Sequence, residues 1–322
     1  MQHIIDNPIM FDHWLANNVN CDLADIIRQF AITSKIISDK IARAPIEHLY
    51  GSTSITNYHN EEVKTLDMIA NNQFIINLKK SQFIYAIISE ENYSVIETGN
   101  SSGKYFVTMD PLDGSSNIDA NVNIGTIFGI YPMNGESNYL LPAKEMIASG
   151  YVLYGSSTML ILSLNGQVNG FCLNTSFGEF ILTHPDMKIP NERNIYSVNE
   201  GNYELWNEQM ANMIDYIKSI DKPNGKSQYS QRYIGSMVAD IHRTILYGGL
   251  FMYPGTVAGP NGKLRYLYEV GPMSHIITNA GGYSLINGTT EALNYIPDSI
   301  HQCVPIFMGS RKNMEIVTKF IH

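Results

Sequence analysis

The 322-residue chain is short of charge, short of cysteine and free of long apolar runs. Charged residues make up 16% of it against 44% hydrophobic, a balance that excludes a self-repelling disordered chain and leaves ample material for a core. Lysine and arginine never cluster beyond two adjacent residues, and the net charge is −9. That excludes the basic footprint of a nucleic-acid binder. Cys21, Cys172 and Cys303 are scattered and odd in number, which fits neither a disulfide framework nor a zinc site and points to a reducing compartment. No apolar run approaches the roughly 18 residues of a membrane span. The opening "MQHIIDNPIMFDHW" lacks the basic segment and apolar block of a secretion signal. A cytoplasmic, soluble protein with no nucleic-acid and no membrane partner is expected.

What is present suggests two domains on length alone. Leu23, Ile26, Ile27, Phe30, Ile37 and Ile41 keep helical spacing and predict a helix over 22–43, before Pro45. "HLYGSTSITNYHN" (48–60) reads as a loop. Val63, Leu66, Ile69, Ala70 and Ile76 predict a helix over 61–79. "FIYAII" (83–88) and "YFVTM" (105–109) read as buried strands, the second ending at Asp110, and a strand-rich region follows to residue 183. The polar connector "HPDMKIPNERN" suggests a boundary between a domain over 1–184 and one over 185–322. Helices are expected near 203–219 and 234–246, followed by the strand "GGLFMYPG". Strand after strand with helices interspersed indicates a layered α/β or α+β fold.

The stretch "MDPLDGSSNID" (109–119) puts Asp110, Asp113 and Asp119 within a few residues of Pro111, Gly114 and two serines. Turn chemistry alone could account for it. However, Glu90 and Glu91 end the preceding apolar run, so if the two strands are neighbours, four acids converge at one end of a sheet. Unpaired carboxylates crowded in a partly buried site repel one another and lose hydration. A hard divalent cation such as Mg²⁺ relieves that and prefers oxygen donors; Zn²⁺ fits less well, because no His or Cys lies in these stretches. Gly114, Ser115 and Ser116 could present N–H groups and hydroxyls to phosphate oxygens, with Pro111 holding the turn. Metal-assisted phosphoryl chemistry is the reading that uses all of these.

In this sequence "DPLDGSSNID…IGTIFGIY", preceded by "SEEN", resembles class I fructose-1,6-bisphosphatase. "HLYG", "GEFILT", "YSVNEG", "RYIGSMVADIHRTILYGG", "NGKLRYLYE" and "IHQCVPIFMGS" follow in the same order, so the resemblance runs from about Leu23 to Ser310. It implies a five-layer α-β-α-β-α sandwich, an N-terminal regulatory half and a C-terminal substrate half, and a homotetramer with a gluconeogenic role. It also implies Mg²⁺- or Mn²⁺-dependent release of the 1-phosphate from fructose 1,6-bisphosphate, with sedoheptulose 1,7-bisphosphate as the alternative sugar bisphosphate. Carried over by position, Glu90, Asp110, Asp113, Glu269 and the Leu112 carbonyl would hold the metal. Glu91 and Asp67 would orient and deprotonate water. Gly114, Ser115 and Ser116 would hold the 1-phosphate. Asn199, Tyr233, Tyr253 and Lys263 would hold the sugar and its 6-phosphate, with Arg232 reaching in from a neighbouring subunit. Lys104 and Tyr105 would be the effector residues for AMP.

Residue by residue, plainer readings stand beside these. Glu269 ends the apolar "YLY" run and reads as a strand-end carboxylate. Asp67 lies within a helical pattern and reads as solvent-facing; His242 and Arg243 read as packing or ion-pair residues. The chain also departs from the family pattern. Asn20-Cys21-Asp22-Leu23-Ala24 replaces the family's Thr-Gly-Glu-Met-Thr at the first long helix, and Pro132 replaces an arginine of the AMP site. Glu61 replaces an aspartate of the loop that closes on the metals, and Asn202 stands where a substrate-binding tyrosine is common, with Tyr203 beside it.

Overall fold

Asn20 starts the first long helix by accepting the Leu23 N–H at 2.9 Å, which satisfies one of the donors a helix N-terminus leaves open. The helix, α2 (Cys21–Arg43), follows a short α1 (Phe11–Asn18) and buries the stripe Leu23, Ile26, Ile27, Phe30 and Ile37. Lys40 and Arg43 occupy its last turn, where cations suit the helix dipole. The computed structural model describes residues 8–56, 62–133, 138–220 and 228–322.

The expected loop over 48–60 contains a strand, β1 (Ser52–Thr56), paired antiparallel with β2 (Glu62–Lys64). The next helix, α3, therefore runs over Thr65–Leu78 rather than from Glu61. Its start is set by Asp67, whose carboxylate accepts the Lys64 N–H at 2.8 Å. Apolar spacing through Val63 and Leu66 could not show this, because the capping bond and not the periodicity fixes the first turn.

Eight strands form the larger sheet: β3 (Ile84–Ser89), β4 (Ile96–Glu97), β5 (Tyr105–Asp113), β6 (Ile124–Pro132), β7 (Ala148–Tyr154), β8 (Thr158–Leu164), β9 (Gln167–Asn174) and β10 (Glu179–His184). Their order is β10-β9-β8-β7-β6-β5-β3-β4, and every pairing is antiparallel except β3 with β5. Both faces are covered, so these strands read as continuous apolar runs. Val107, Phe128 and Val152 pack beneath α1–α3, with Phe30 stacked on Phe128 at 4.1 Å between ring centroids. Phe106, Ile127 and Tyr151 point to the opposite face.

The smaller sheet comprises β11 (Ile195–Ser197), β12 (Ser230–Gln231), β13 (Leu250–Tyr253), β14 (Tyr283–Ile286), β15 (Thr290–Glu291) and β16 (Ile306–Gly309), in the order β12-β11-β13-β16-β14-β15. Outside it lie α4 (Glu208–Ser219) and α7 (Arg311–Phe320), packed on Leu250, Met252 and Phe307. The expected helix over 203–219 is split: Glu200–Leu205 is a 3-10 turn, and α4 starts where Asn207 caps the Met210 N–H at 2.9 Å. Between the two sheets lie α5 (Met237–Tyr247) and α6 (Gly271–Asn279), whose Val238, Ile241, Met273 and Ile277 share one core with both. Outward to outward, the layers run α-β-α-β-α, as the resemblance implies. Among the described residues no helix is long and apolar enough to cross a membrane.

Candidate active site

Parallel pairing of β3 with β5 aligns Ser89 with Met109, and the Glu90 N–H extends the ladder to the Met109 carbonyl at 3.1 Å. Glu90 and Asp110 therefore leave the sheet side by side. β5 does not stop at Asp110, however. It continues to Asp113, opposite Gly125 of β6, with a register shift between the two aspartates. Pro111 sits at that irregularity, where a missing N–H costs no ladder bond, and its carbonyl accepts the Thr126 hydroxyl at 2.8 Å. The proline shapes a strand bulge rather than a turn. The turn comes at Gly114, with φ of 76°, and a 3-10 turn over Ser115–Ala120 follows. A Cβ at Gly114 would lie 2.8 Å from the Ser236 Cβ, so both its backbone angle and its surroundings require glycine.

Residues far along the chain complete the site. Asp113 accepts the Ser236 hydroxyl at 2.6 Å and the N–H groups of Met237 and Val238 at 3.3 and 3.0 Å, placing its carboxylate on the N-terminus of α5. Glu269 is not at a strand end. It lies in a π-helical turn over Tyr266–Val270 that leads into α6, and it accepts the Arg265 N–H at 2.5 Å. The Arg265 guanidinium pairs with Glu90 at 2.8 Å. Carboxylate oxygens of Asp110, Asp113 and Glu269 all lie within 4.8 Å of one another. Asp67, expected to face solvent, is 3% exposed, and its Oδ1 is buried without a hydrogen-bond partner.

This crowding shifts the protonation of the acids. Burial pushes Asp67 up to about 7 against the Lys64 N–H bond, with the Glu90 charge adding to the rise. Burial pushes Asp113 up to about 6 despite its three donors. Asp110 is raised well above the usual carboxylate range by burial and then by Glu90, Glu269 and Asp113. Glu269 is likewise raised by burial, with Arg265 opposing and Glu90 reinforcing.

These groups border a cleft of about 450 Å³, the size of a small-ligand site. Of the expected metal residues, Glu90, Asp110, Leu112, Asp113 and Glu269 line it, as do the expected base residues Asp67 and Glu91. Gly114, Ser115, Ser116, Tyr233, Tyr253 and Lys263 line it as well. Seven acids border the cleft against three bases, Lys64, Lys263 and Arg265. That excess of acid favours entry of an anion together with cations. The close carboxylates of Asp110, Asp113 and Glu269 offer only oxygen, which fits a hard divalent cation.

Other expected residues lie elsewhere. Asn199 is exposed and uses its side chain to cap a 3-10 turn through the Gly201 N–H at 3.0 Å. Arg232 is exposed and donates to the Gln231 carbonyl at 2.8 Å. Tyr203 donates to Asp215 at 2.8 Å and does not line the cleft. Lys104 forms an ion pair with Asp22 across from the cleft, and Tyr105 is buried at the start of β5. Glu61 lies outside the described residues. His242 packs on Tyr151 and bonds its hydroxyl at 2.9 Å, while Arg243 pairs with Asp240 at 2.7 Å. Sequence reading missed Ser236, Asp240 and Arg265. The only sequence signal for Ser236 is its place as N-cap of α5; Arg265 and Asp240 carry none, since their partners are distant or on the far side of a turn.

Comparison with known proteins returns one family. "Fructose-1-6-bisphosphatase, N-terminal domain" matches residues 6–185 and "Fructose-1-6-bisphosphatase, C-terminal domain" matches residues 189–322. A rice protein (Oryza sativa subsp. indica) named "Fructose-1,6-bisphosphatase, cytosolic" is 46% identical over 300 residues, covering 91% of this chain and 88% of that one. "Fructose-1,6-bisphosphatase class 1" of Maridesulfovibrio salexigens is 44% identical over 305 residues, covering 91% and 90%. The crystal structure of Leishmania major fructose-1,6-bisphosphatase in holo form superposes with a TM-score of 0.92 at 36% identity, covering 98% of this chain and 99% of that one. With matches that span both sheets and the cleft between them, the chain belongs to the fructose-1,6-bisphosphatase family.

Proposed function

We propose that this protein hydrolyses the 1-phosphate of fructose 1,6-bisphosphate, giving fructose 6-phosphate and inorganic phosphate, in a reaction that depends on Mg²⁺ or Mn²⁺. The observation that carries this reading is one cleft lined together by an excess of acids, by Gly114, Ser115 and Ser116, and by Lys263 with Tyr233 and Tyr253. In this reading Glu90, Asp110, Asp113, Glu269 and the Leu112 carbonyl hold the divalent cations. Bound there, the cations supply the positive charge that lets a nucleophile approach a phosphate dianion.

The chain's own residues do the rest. Ser115 and Ser116 with the Gly114 backbone hold the reacting phosphate. Asp67 and Glu91 orient a water and take its proton as the new P–O bond forms and the bond to the C1 oxygen breaks. The departing C1 oxygen gains a proton from solvent to leave as the hydroxyl of fructose 6-phosphate. Lys263, Tyr233 and Tyr253 hold the sugar and the distal phosphate by charge-assisted and neutral donors. That remote grip positions the reacting end, which favours bisphosphates over monophosphates.

Arg232 reaches a neighbouring copy's substrate in this reading, which goes with a homotetramer, and its exposed place supports that; Asn199, expected beside Tyr233 and Lys263, does not line the cleft. Division of the chain into a regulatory part over 1–184 and a substrate part over 185–322 is supported by the larger sheet lying wholly in the first and the smaller in the second. AMP control through Lys104 and Tyr105 is weakened, because Lys104 spends its charge on Asp22 and Asn20 already caps the helix start. A cytosolic setting is supported by the name of the rice relative, and a gluconeogenic role goes with the proposed reaction.

Phosphate release from fructose 1,6-bisphosphate with and without Mg²⁺ tests the reading. Fructose 1-phosphate, sedoheptulose 1,7-bisphosphate and inositol 1-phosphate serve as parallel substrates. Cation-dependent release, fastest with fructose 1,6-bisphosphate, is expected. No release from folded protein with either cation would remove it, and faster turnover of the seven-carbon bisphosphate would reassign the substrate.

A further inference from the structure

The segment Arg232–Val238 contributes Tyr233, Gly235, Ser236 and Met237 to the lining of the cleft. Its last residues, Ser236, Met237 and Val238, hold Asp113. What fixes the middle is Asp240, in the first turn of α5, which is 0% exposed. Its Oδ1 accepts the Ser197 hydroxyl at 2.8 Å and the Arg243 guanidinium at 2.7 Å. The Ile234 N–H reaches Oδ1 at 3.2 Å and Oδ2 at 3.1 Å, and the Gly235 N–H reaches Oδ2 at 3.1 Å. Ser197 ends β11, so the carboxylate pins this segment to the smaller sheet. Arg243 closes the ring by donating to the Arg232 carbonyl at 2.8 Å. On the other side, the Gly235 carbonyl accepts the Asn117 amide at 3.3 Å, from the 3-10 turn behind Gly114.

We propose that Asp240 is a positioning residue for substrate affinity: it sets the path of Arg232–Gly235 and thereby the place of Tyr233 relative to the acids. The proposal rests on the bisphosphatase reading. An open carboxylate on the wall of an anion cleft would repel its ligand. Here the lone pairs are committed to four donors, so Asp240 serves neither as a metal ligand nor as a base. Asparagine has nearly the same shape, but its NH₂ must face either the Gly235 N–H or the Arg243 guanidinium, so one donor loses its acceptor in either orientation and the charge that bound all four is gone. The segment then loosens where it carries Tyr233, while Asp113 keeps its three bonds.

Asp240→Asn is compared with the wild-type protein by steady-state kinetics, Mn²⁺ titration calorimetry and amide hydrogen exchange. The KM for fructose 1,6-bisphosphate is expected to rise about tenfold, the effect of losing one charge-assisted bond, with kcat changed less than about threefold. The preference for fructose 1,6-bisphosphate over fructose 1-phosphate should fall with it, Mn²⁺ affinity should hold, and the Ile234 and Gly235 amides should exchange faster. A collapse of kcat at unchanged KM, Mn²⁺ affinity falling in step with KM, or unchanged exchange at those two amides would each overturn the proposal. Should Asp240→Asn fail to fold, Ser197→Ala removes one donor and should move KM and exchange in the same direction by less; no movement in either overturns it. Wild-type protein that releases no phosphate would remove the bisphosphatase reading, and exchange at Ile234 and Gly235 would still decide whether Asp240 positions the segment.

Discussion

Asp240 and Glu269 are both buried carboxylates on helical turns beside one cleft, yet their surroundings differ. Asp240 has the Arg243 guanidinium, one hydroxyl and two backbone N–H groups directed at it. Glu269 has the Arg265 N–H, while the Arg265 guanidinium pairs with Glu90, and it faces Asp110 and Asp113 at short range. One carboxylate has matched donors and the other has excess like charge. Fold maintenance accounts for the first arrangement and not for the second, since an acid held only for stability would have its donors supplied by the protein. The uncompensated set marks where charge must come from outside.

The widest separation between the two sets should appear in Asp110→Asn. Removing one of the three close carboxylates is expected to lower cation-dependent phosphate release on the order of 10³-fold, the scale of losing a preorganised electrostatic contact at the reacting centre. A loss below tenfold would erase the distinction between ligand acids and Asp240. Next comes Gly114→Ala, expected to destabilise by about 1–3 kcal/mol through its backbone angle and its contact with Ser236. Denaturant unfolding measures it, and an unchanged midpoint would mean the Ser236 side of the cleft gives way freely. Smallest is the change of stability with pH in the absence of cations. A carboxyl whose pKa is raised by folding keeps its proton in the fold, so the native state binds more protons and stability falls as pH rises through the folded value. His242 and His275, both pushed down to about 4 by burial, act oppositely, losing stability as pH falls below their usual 6.5. Up to about pH 7.5 unfolded histidine is still giving up protons, so the rise from His242 and His275 opposes the fall from Asp67, near 7. Asp67→Asn isolates the carboxyl. In cation-free protein the stability of the wild type relative to this variant should fall by about 1 kcal/mol between pH 6 and 8. That is a shift of about one or two degrees in melting temperature, and saturating Mg²⁺ should shrink it. A pH-independent difference between the two proteins in chelator would contradict the shift at Asp67.

The four acids at the sheet edge were legible because Glu90, Glu91, Asp110 and Asp113 follow apolar runs, and two adjacent runs of that kind place their ends together. The α2 boundaries were legible from periodicity and Pro45. Glu269 was misread as a strand end because "YLY" carries no sign of the π-turn, which arises from packing against both sheets. Asp67 looked solvent-facing because helical spacing shows which side a residue is on, not what later covers it. Ser236 stayed hidden because its partner Asp113 lies 123 residues away, and Asp240 because it gathers backbone N–H groups, which leave no mark in sequence, with Ser197, 43 residues away. Lys104 and Asp22 were both noticed, but their pairing depends on how β5 meets α2.

Glu269 enters the cleft from the layer between the two sheets, whereas Glu90, Asp110 and Asp113 come from the larger sheet alone. A folding chain can therefore align three of the acids before the fourth exists in place. In the proposed reading, where all four acids hold the cations, tight binding needs both parts docked. The stabilisation would then act on the finished protein, slowing its unfolding rather than speeding its folding.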